Sequence, residues 1–385
     1  MEFDQIIDRR GTDSVKWQAY GQALPLWVAD MDFAAPEPVV AALRRRVEHG
    51  VFGYPVLPAE LREVIREWLR RRHGWEVEPE AISFQPGVMK GVNLVARAVG
   101  QPGDGILVQP PVYPPFFDVP PNCGRHLQVA QVLPVDGRYE IDFDALEAAV
   151  ADRTRLFLLC NPHNPLGRAF RRAELEQMAD ICLRHDLIIC SDEIHSDLVF
   201  RGHRHVPIAS LSTEVAQRTV TCFAPSKTFN IPGLAFSVMV IQNPELRRPV
   251  ETVGAGIVRG SHLLGYTAAL AAYRDCEPWL EALLRYLEAN RDYLVDWLHR
   301  RLPRLTLPTP EATYLAWLDC REAGIPAGLS PHRFFLDQAA VALNDGAAFG
   351  PGGAGFVRLN FGCPRATLTE ALEQMERALA EAAAA

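Results

Sequence analysis

The stretch T-V-T-C-F-A-P-S-K-T-F-N-I-P-G, residues 219–233, carries the reading of the fold. Thr219–Ala224 is an apolar, β-branched run of strand length, and it ends at the polar pair Ser226-Lys227. An amine at the end of a buried strand is partly desolvated. Desolvation disfavours the ammonium form, so such a lysine can act as a neutral nucleophile near pH 7 and form Schiff bases.

Working outward, similar runs recur at 105–109, 155–160, 187–191 and 236–241. Helical patterns lie between or before them. Leu61, Val64, Ile65, Trp68 and Leu69 repeat at helical spacing, with Gly74 as a stop. Apolar residues at 88, 92, 95 and 99 mark a helix over 87–99, and Leu175, Met178, Ala179 and Cys182 mark another. Continuous apolar strands alternating with helices predict an α/β fold with a largely parallel sheet covered on both faces. Beyond residue 276 the pattern changes. Leu280, Leu283, Leu284, Leu287, Leu294 and Leu298 predict a long helix, and short strands follow at 314–318 and 356–361. A last helix is expected to start near Thr367 with Glu370 in a capping box, and a flexible Ala-rich tail at 382–385. This part reads as a smaller α+β domain. The expected division is a large domain at 41–275 and a small one made of 1–40 plus 276–385.

With 385 residues, 48% of them hydrophobic, the chain can bury a large core. A net charge of -8 argues against nucleic-acid or anionic-membrane partners. Arg70–Arg72 reads as the exposed face of a helix. The first ten residues mix charges with no apolar signal core, and no apolar run approaches a membrane span, so a cytoplasmic protein is expected. The eight cysteines include no C-x-x-C pair, and His203-x-His205 has no third ligand nearby. Neither a disulfide framework nor a metal site is expected.

In open α/β sheets, chemistry collects at the carboxyl ends of strands. Three successive strands here run into N-P-H-N-P-L-G (161–167), S-D-E-I-H (191–195) and S-K (226–227), so Asn164, Asp192 and Lys227 should converge. Each has a job if the cofactor is pyridoxal phosphate. Lys227 carries the aldehyde as a Schiff base. Asp192 keeps the pyridine nitrogen protonated, because the cationic ring is the electron sink. Asn164 donates to the ring's phenolate oxygen. The phosphate wants a helix N-terminus and small residues, which Gly87, Val88 and Met89 provide at the start of the 87–99 helix; Ser226 adds a hydroxyl. Tyr113, in P-P-V-Y-P-P-F, is the candidate to cover the ring face; otherwise it is a turn aromatic.

With these residues the chain resembles fold-type I pyridoxal-phosphate enzymes of the aminotransferase class I/II superfamily. Within that group it is similar to the cystathionine β-lyase-type C–S lyase branch (the MalY/PatB group). The likeness runs over nearly the whole chain. Its marks are W-V-A-D-M-D-F (27–33), G-V-F-G-Y (50–54), the three motifs around Asn164, Asp192 and Lys227, T-Y-L-A-W-L-D (313–319) and V-R-L-N-F-G-C-P-R (357–365). The resemblance implies a mostly parallel seven-stranded sheet sandwiched by helices. It also implies that Arg358 grips the substrate α-carboxylate, and that Ala29 and Asn164 border the substrate. Tyr54 would reach the phosphate of a neighbouring subunit, so a homodimer with shared active sites is expected. In a strand, Arg358 and Asn360 share one face.

Two departures point to the lyase branch. Many aminotransferases of the superfamily have an arginine eight positions after the lysine, where this chain has Ala235. Many have a tyrosine three after the aspartate, where it has His195. His195 either packs under the cofactor or touches the ring oxygen. Trp27 and Asn360 line the substrate pocket or serve the core, and His163 reads as structural. The expected activity is α,β-elimination on cystathionine- or cysteine-type amino acids, giving pyruvate, ammonia and a thiol. The alternatives are an L-amino-acid aminotransferase, which needs the same parts, and a pyridoxal-phosphate-binding regulatory protein.

Overall fold

Seven strands build the main sheet of the computed structural model, which describes residues 2–258 and 260–384. They are β1 (Ile82–Gln85), β2 (Gly105–Val108), β3 (His126–Val129), β4 (Thr154–Cys160), β5 (Ile188–Asp192), β6 (Thr219–Phe223) and β7 (Ser237–Val240). Their order across the sheet is β1-β7-β6-β5-β4-β2-β3. The pairs β3/β2, β2/β4, β4/β5 and β5/β6 are parallel, and β7 runs antiparallel to both β6 and β1. The mostly parallel seven-stranded sheet expected from the sequence is present.

Alternation along β4 shows why the central strands are apolar throughout. Leu156, Leu158 and Cys160 pack in the cluster that contains Val88, Val92 and Val95 of the helix Val88–Ala98. Phe157 and Leu159 point the other way, into the cluster of Leu175, Met178 and Cys182 from the helix Arg172–Arg184. Each such side chain, fully withdrawn from water, contributes about 1.5–3 kcal/mol before the entropy of ordering is counted.

A second, antiparallel sheet contains β8 (Leu315–Asp319), β9 (Asn344–Asp345) and β10 (Phe356–Asn360) in the order β8-β10-β9. The helix Glu277–Arg301 turns Leu280, Leu283, Leu287, Leu294 and Leu298 into the core; Leu284 is only partly buried. Leu24–Pro25 pairs in parallel with Val341–Ala342, which joins the N-terminal segment to this C-terminal part. The helix Leu61–His73 ends at Gly74 in the left-handed conformation, as its sequence predicts. Arg70 and Arg71 lie on its exposed face, in ion pairs with Glu67 and Glu277.

Three expectations are corrected. β6 ends at Phe223, and Lys227 sits four residues beyond it, in the helical turn Pro225–Thr228; Pro225 at the first helical position starts that turn. The last helix begins at Arg365, so Thr367 lies inside it and is no cap. That helix runs to Ala384, so the alanines at 382–384 are helical; Ala385 lies outside the described residues. No described helix is long and apolar enough to cross a membrane.

Candidate active site

β4, β5 and β6 are neighbours, about 4.8 Å apart, so the segments beyond their carboxyl ends must meet. Asn164, Asp192 and Lys227 open into one cavity of about 460 Å³. Its wall also includes Gly87, Val88, Met89, Tyr113, His195 and Ser226 from the large sheet's side. Trp27, Val28, Ala29, Asn344, Phe349 and Arg358 close it from the N-terminal segment and the second sheet. The volume is within the range of small-molecule sites.

Asp192 is the last residue of β5 and is 4% exposed. The Ile194 backbone N–H donates to its Oδ1 at 3.0 Å. Burial pushes its carboxyl up to about 7, against the opposing pull of that hydrogen bond and of Lys227. A buried carboxylate with so little local compensation favours a cationic partner in the cavity. The Lys227 amine is pushed down to about 8, first by burial, with Arg358 adding to the effect and Asp30 and Asp192 opposing it. It donates to the Ala29 carbonyl at 2.5 Å.

Arg358, in β10, is 4% exposed, and burial lowers its guanidinium to about 10. Nη1 donates to Asn164 Oδ1 at 2.8 Å, and Nη2 donates to the Trp27 carbonyl at 2.8 Å and to Asn344 Oδ1. Nε has no partner, and no carboxylate pairs with this cation among the described residues. A buried cation held by neutral acceptors is poised for an anion. The Arg358 bond turns Asn164 Oδ1 away, so its Nδ2 group is the free donor.

Gly87 caps the helix Val88–Ala98 with φ 128°, a conformation that disfavours any Cβ. No side chain caps this helix end. Its first amides therefore face an opening in the cavity wall, as anion sites require. Tyr113 is partly buried beside the cavity, and burial raises its hydroxyl above the usual range, helped by Asp192. His195 is 2% exposed, with Nδ1 unpartnered and its ring against Tyr314 at 5.9 Å. Burial, Lys227 and Arg358 hold it well below the ordinary imidazole value, so it is neutral. These residues fit pyridoxal phosphate: an amine, a carboxylate for a ring nitrogen, an amide donor and an anion-binding helix end surround one cavity.

Three residues weighed in the sequence lie elsewhere. Tyr54 is fully exposed and does not touch this cavity. His163 is buried with Nε2 against the Gln109 carbonyl at 3.3 Å. His205 is buried beside the Glu193 carboxylate at 2.8 Å. The cavity also contains residues that the motifs did not single out. Asn344 and Phe349 had no local signal in sequence. Tyr314 stands inside the T-Y-L-A-W-L-D motif and donates its hydroxyl to the Ala29 carbonyl at 2.8 Å. Asn360 donates to the Val28 and Asp30 carbonyls at 2.7 and 2.8 Å, so it holds the segment that borders the cavity.

Residues 23–375 match the model of the family described as aminotransferase class I and II. The chain is 43% identical to the cystathionine beta-lyase PatB of Bacillus subtilis, over 98% of this chain and 100% of that one. The solved structure of OvoB is similar with a TM-score of 0.94 and 45% identity, over 98% of this chain and 99% of that one. The PLP-bound C–S lyase of Staphylococcus hominis has a TM-score of 0.94 at 33% identity, over 99% of both chains. Matched along nearly its whole length, the chain belongs to the aminotransferase class I and II family.

Proposed function

We propose that the protein is a pyridoxal-phosphate-dependent carbon–sulfur β-lyase that converts cystathionine- or cysteine-type amino acids into pyruvate, ammonia and a thiol. The observation that carries this reading is the cavity in which Lys227, Asp192, Asn164 and Arg358 meet. The full-length likeness to a cystathionine β-lyase supports it. Pyridoxal phosphate, when bound, supplies an electron sink for the pair released at the substrate Cα.

The chain's own groups do the rest. With pyridoxal phosphate bound, Lys227 would be the residue that holds it, and its amine would take the substrate Cα proton at Nζ. Its lowered proton affinity suits that task near neutral pH. Asp192 would hold a proton on the ring nitrogen, and Asn164 Nδ2 would donate to the ring oxygen. Tyr113 would cover one ring face, and neutral His195 lines the same cavity. The amides after Gly87, with Ser226 beside them, would hold the phosphate. Arg358 binds the α-carboxylate through the side it does not spend on Asn164, Trp27 and Asn344. Ala29 borders the substrate.

We assign residues 41–275 to a cofactor-bearing domain and 1–40 with 276–385 to a domain that closes the substrate side. The placement of β1–β7 in the first and β8–β10 in the second supports this division. We also propose a homodimer in which Tyr54 reaches the partner's phosphate site. Val51, Phe52, Tyr54 and Val56 are 61%, 60%, 105% and 86% exposed, an apolar run that a second copy would cover. A single 42.8 kDa species in sedimentation would overturn it. All eight cysteines are free thiols, which suits a reducing, cytoplasmic setting.

The deciding assay incubates the cofactor-loaded protein with cystathionine or S-alkyl cysteines and follows pyruvate. Pyruvate without any keto-acid acceptor is the expected result. Glutamate from 2-oxoglutarate with no pyruvate would establish the aminotransferase reading instead.

Arg358→Leu is expected to raise KM for amino acids by about 10²-fold or more, because a charge-assisted contact to the α-carboxylate is lost. Its visible cofactor absorbance should persist. An unchanged KM would show that the α-carboxylate binds elsewhere.

A further inference from the structure

The segment Trp27–Asp32 has no regular secondary structure, yet side chains from four other parts of the chain hold nearly every one of its carbonyls. Arg358 takes the Trp27 carbonyl, and Asn360 spans those of Val28 and Asp30. Tyr314 and Lys227 share that of Ala29. Asn230 receives the Met31 N–H at 2.9 Å and donates to the Met31 carbonyl at 2.9 Å. Beneath it lies a charged cluster. Arg9 donates to Asp30 and Asp32 at 2.7 Å each, and the almost fully buried Lys16 donates to Asp32 at 2.7 Å and to the Asp30 carbonyl at 2.9 Å. This lattice touches the chemistry at two side chains, Arg358 through the Trp27 carbonyl and the Lys227 amine through the Ala29 carbonyl.

We propose that Asp30 and Arg9 are positioning residues that set the proton affinity of Lys227 through this segment. Asp30 directly follows the carbonyl that accepts from Lys227, and its negative charge favours the protonated amine. Arg9 offsets that charge and clamps the carboxylate to Asp32. The other charged or titratable groups facing Lys227 are Asp192 and His195 from β5 and the turn after it, and Arg358 from β10. Tyr113 lines the same cavity, and Tyr314, just before β8, shares the Ala29 carbonyl with Lys227. Among the groups acting on the amine, Asp30 is the foremost one that raises its proton affinity. Arg358 lowers it, and Asp192 raises it less.

The inference rests on the reading of Lys227 as the cofactor-bearing lysine. It predicts opposite effects from two members of one salt bridge. The measurement is the pH midpoint of the holoenzyme's visible absorbance change, together with the midpoint of kcat/KM. Asp30→Asn should move both midpoints down by about one pH unit, and Arg9→Met should move both up by a similar amount. Arg9→Lys should restore the wild-type midpoint. A merely structural pair would lower the melting temperature in both variants and leave the midpoints in place or shift them in the same direction; either result overturns the proposal. If Lys227→Ala retained the visible band, the underlying reading would fail instead.

Discussion

Replacing Lys227 with alanine is expected to remove the visible absorbance of the cofactor-loaded protein and to lower turnover by about 10⁴-fold or more, since covalent attachment and proton transfer are lost together. The cavity shows why a single side chain would have so large an effect. Lys227 is the buried amine there, and the other basic groups of the wall cannot replace it: Lys90 is exposed and donates to the Pro86 carbonyl at 2.9 Å. Arg358 is committed to Asn164, Trp27 and Asn344. His195 is neutral but buried against Tyr314. The wild-type rate should rise with pH through about 8, because burial lowers the amine to that value and only the neutral form accepts the Cα proton. The alanine variant should show no such limb in its residual rate. Turnover within tenfold of wild type would remove Lys227 from the role of base.

The central strands were legible because they are buried on both faces and read as unbroken apolar runs. Leu156–Cys160 could hardly be anything else. β1 and β3 were not picked out. β3, His126–Val129, is an edge strand whose Leu127 and Val129 are 44% and 41% exposed, so its pattern carries no burial signal. β1 has only four residues and gains its place by pairing with β7. The convergence of Asn164, Asp192 and Lys227 comes from strand adjacency, and the order of motifs along the chain implied it.

Contacts that close the cavity over long separations were harder to read. Asn344 meets Arg358 because β9 pairs with β10, and two-residue strands leave no periodic trace. Asn360 was placed correctly on the face of Arg358, but its partners, the Val28 and Asp30 carbonyls, are more than three hundred residues away. The resemblance marked W-V-A-D-M-D-F as a motif, whereas its hydrogen-bond lattice is visible only once the N-terminal segment lies across the second sheet. The position of Lys227 on a helical turn illustrates the same limit. Pro225 could start a helix or continue an extended chain, and local sequence does not choose between them.

Asp192→Asn should separate two consequences of one buried carboxylate. With the cofactor bound, the variant loses the charge that keeps the ring nitrogen protonated. Its kcat/KM is expected to fall by about 10²–10³-fold, the scale of removing a preorganised electrostatic contact. Without the cofactor the effect reverses. The folded-state value of Asp192 is raised to about 7 from an ordinary 3.8, so the relative stability it allows is fully present below the unfolded value. That stability is lost as pH climbs through 7. Above pH 7 the cofactor-free wild type therefore bears the full cost of an ionised, buried carboxylate, on the order of 4 kcal/mol as an upper bound. The cofactor-free asparagine variant should then melt at a higher temperature than wild type at pH 8, and the gap should narrow towards pH 4. Adding pyridoxal phosphate should reverse the order, because only the wild type gains a cationic partner for its carboxylate. Equal melting temperatures in the cofactor-free forms at pH 8 would show that burial does not raise this carboxyl, and a variant with nearly full activity would show that it faces no ring nitrogen.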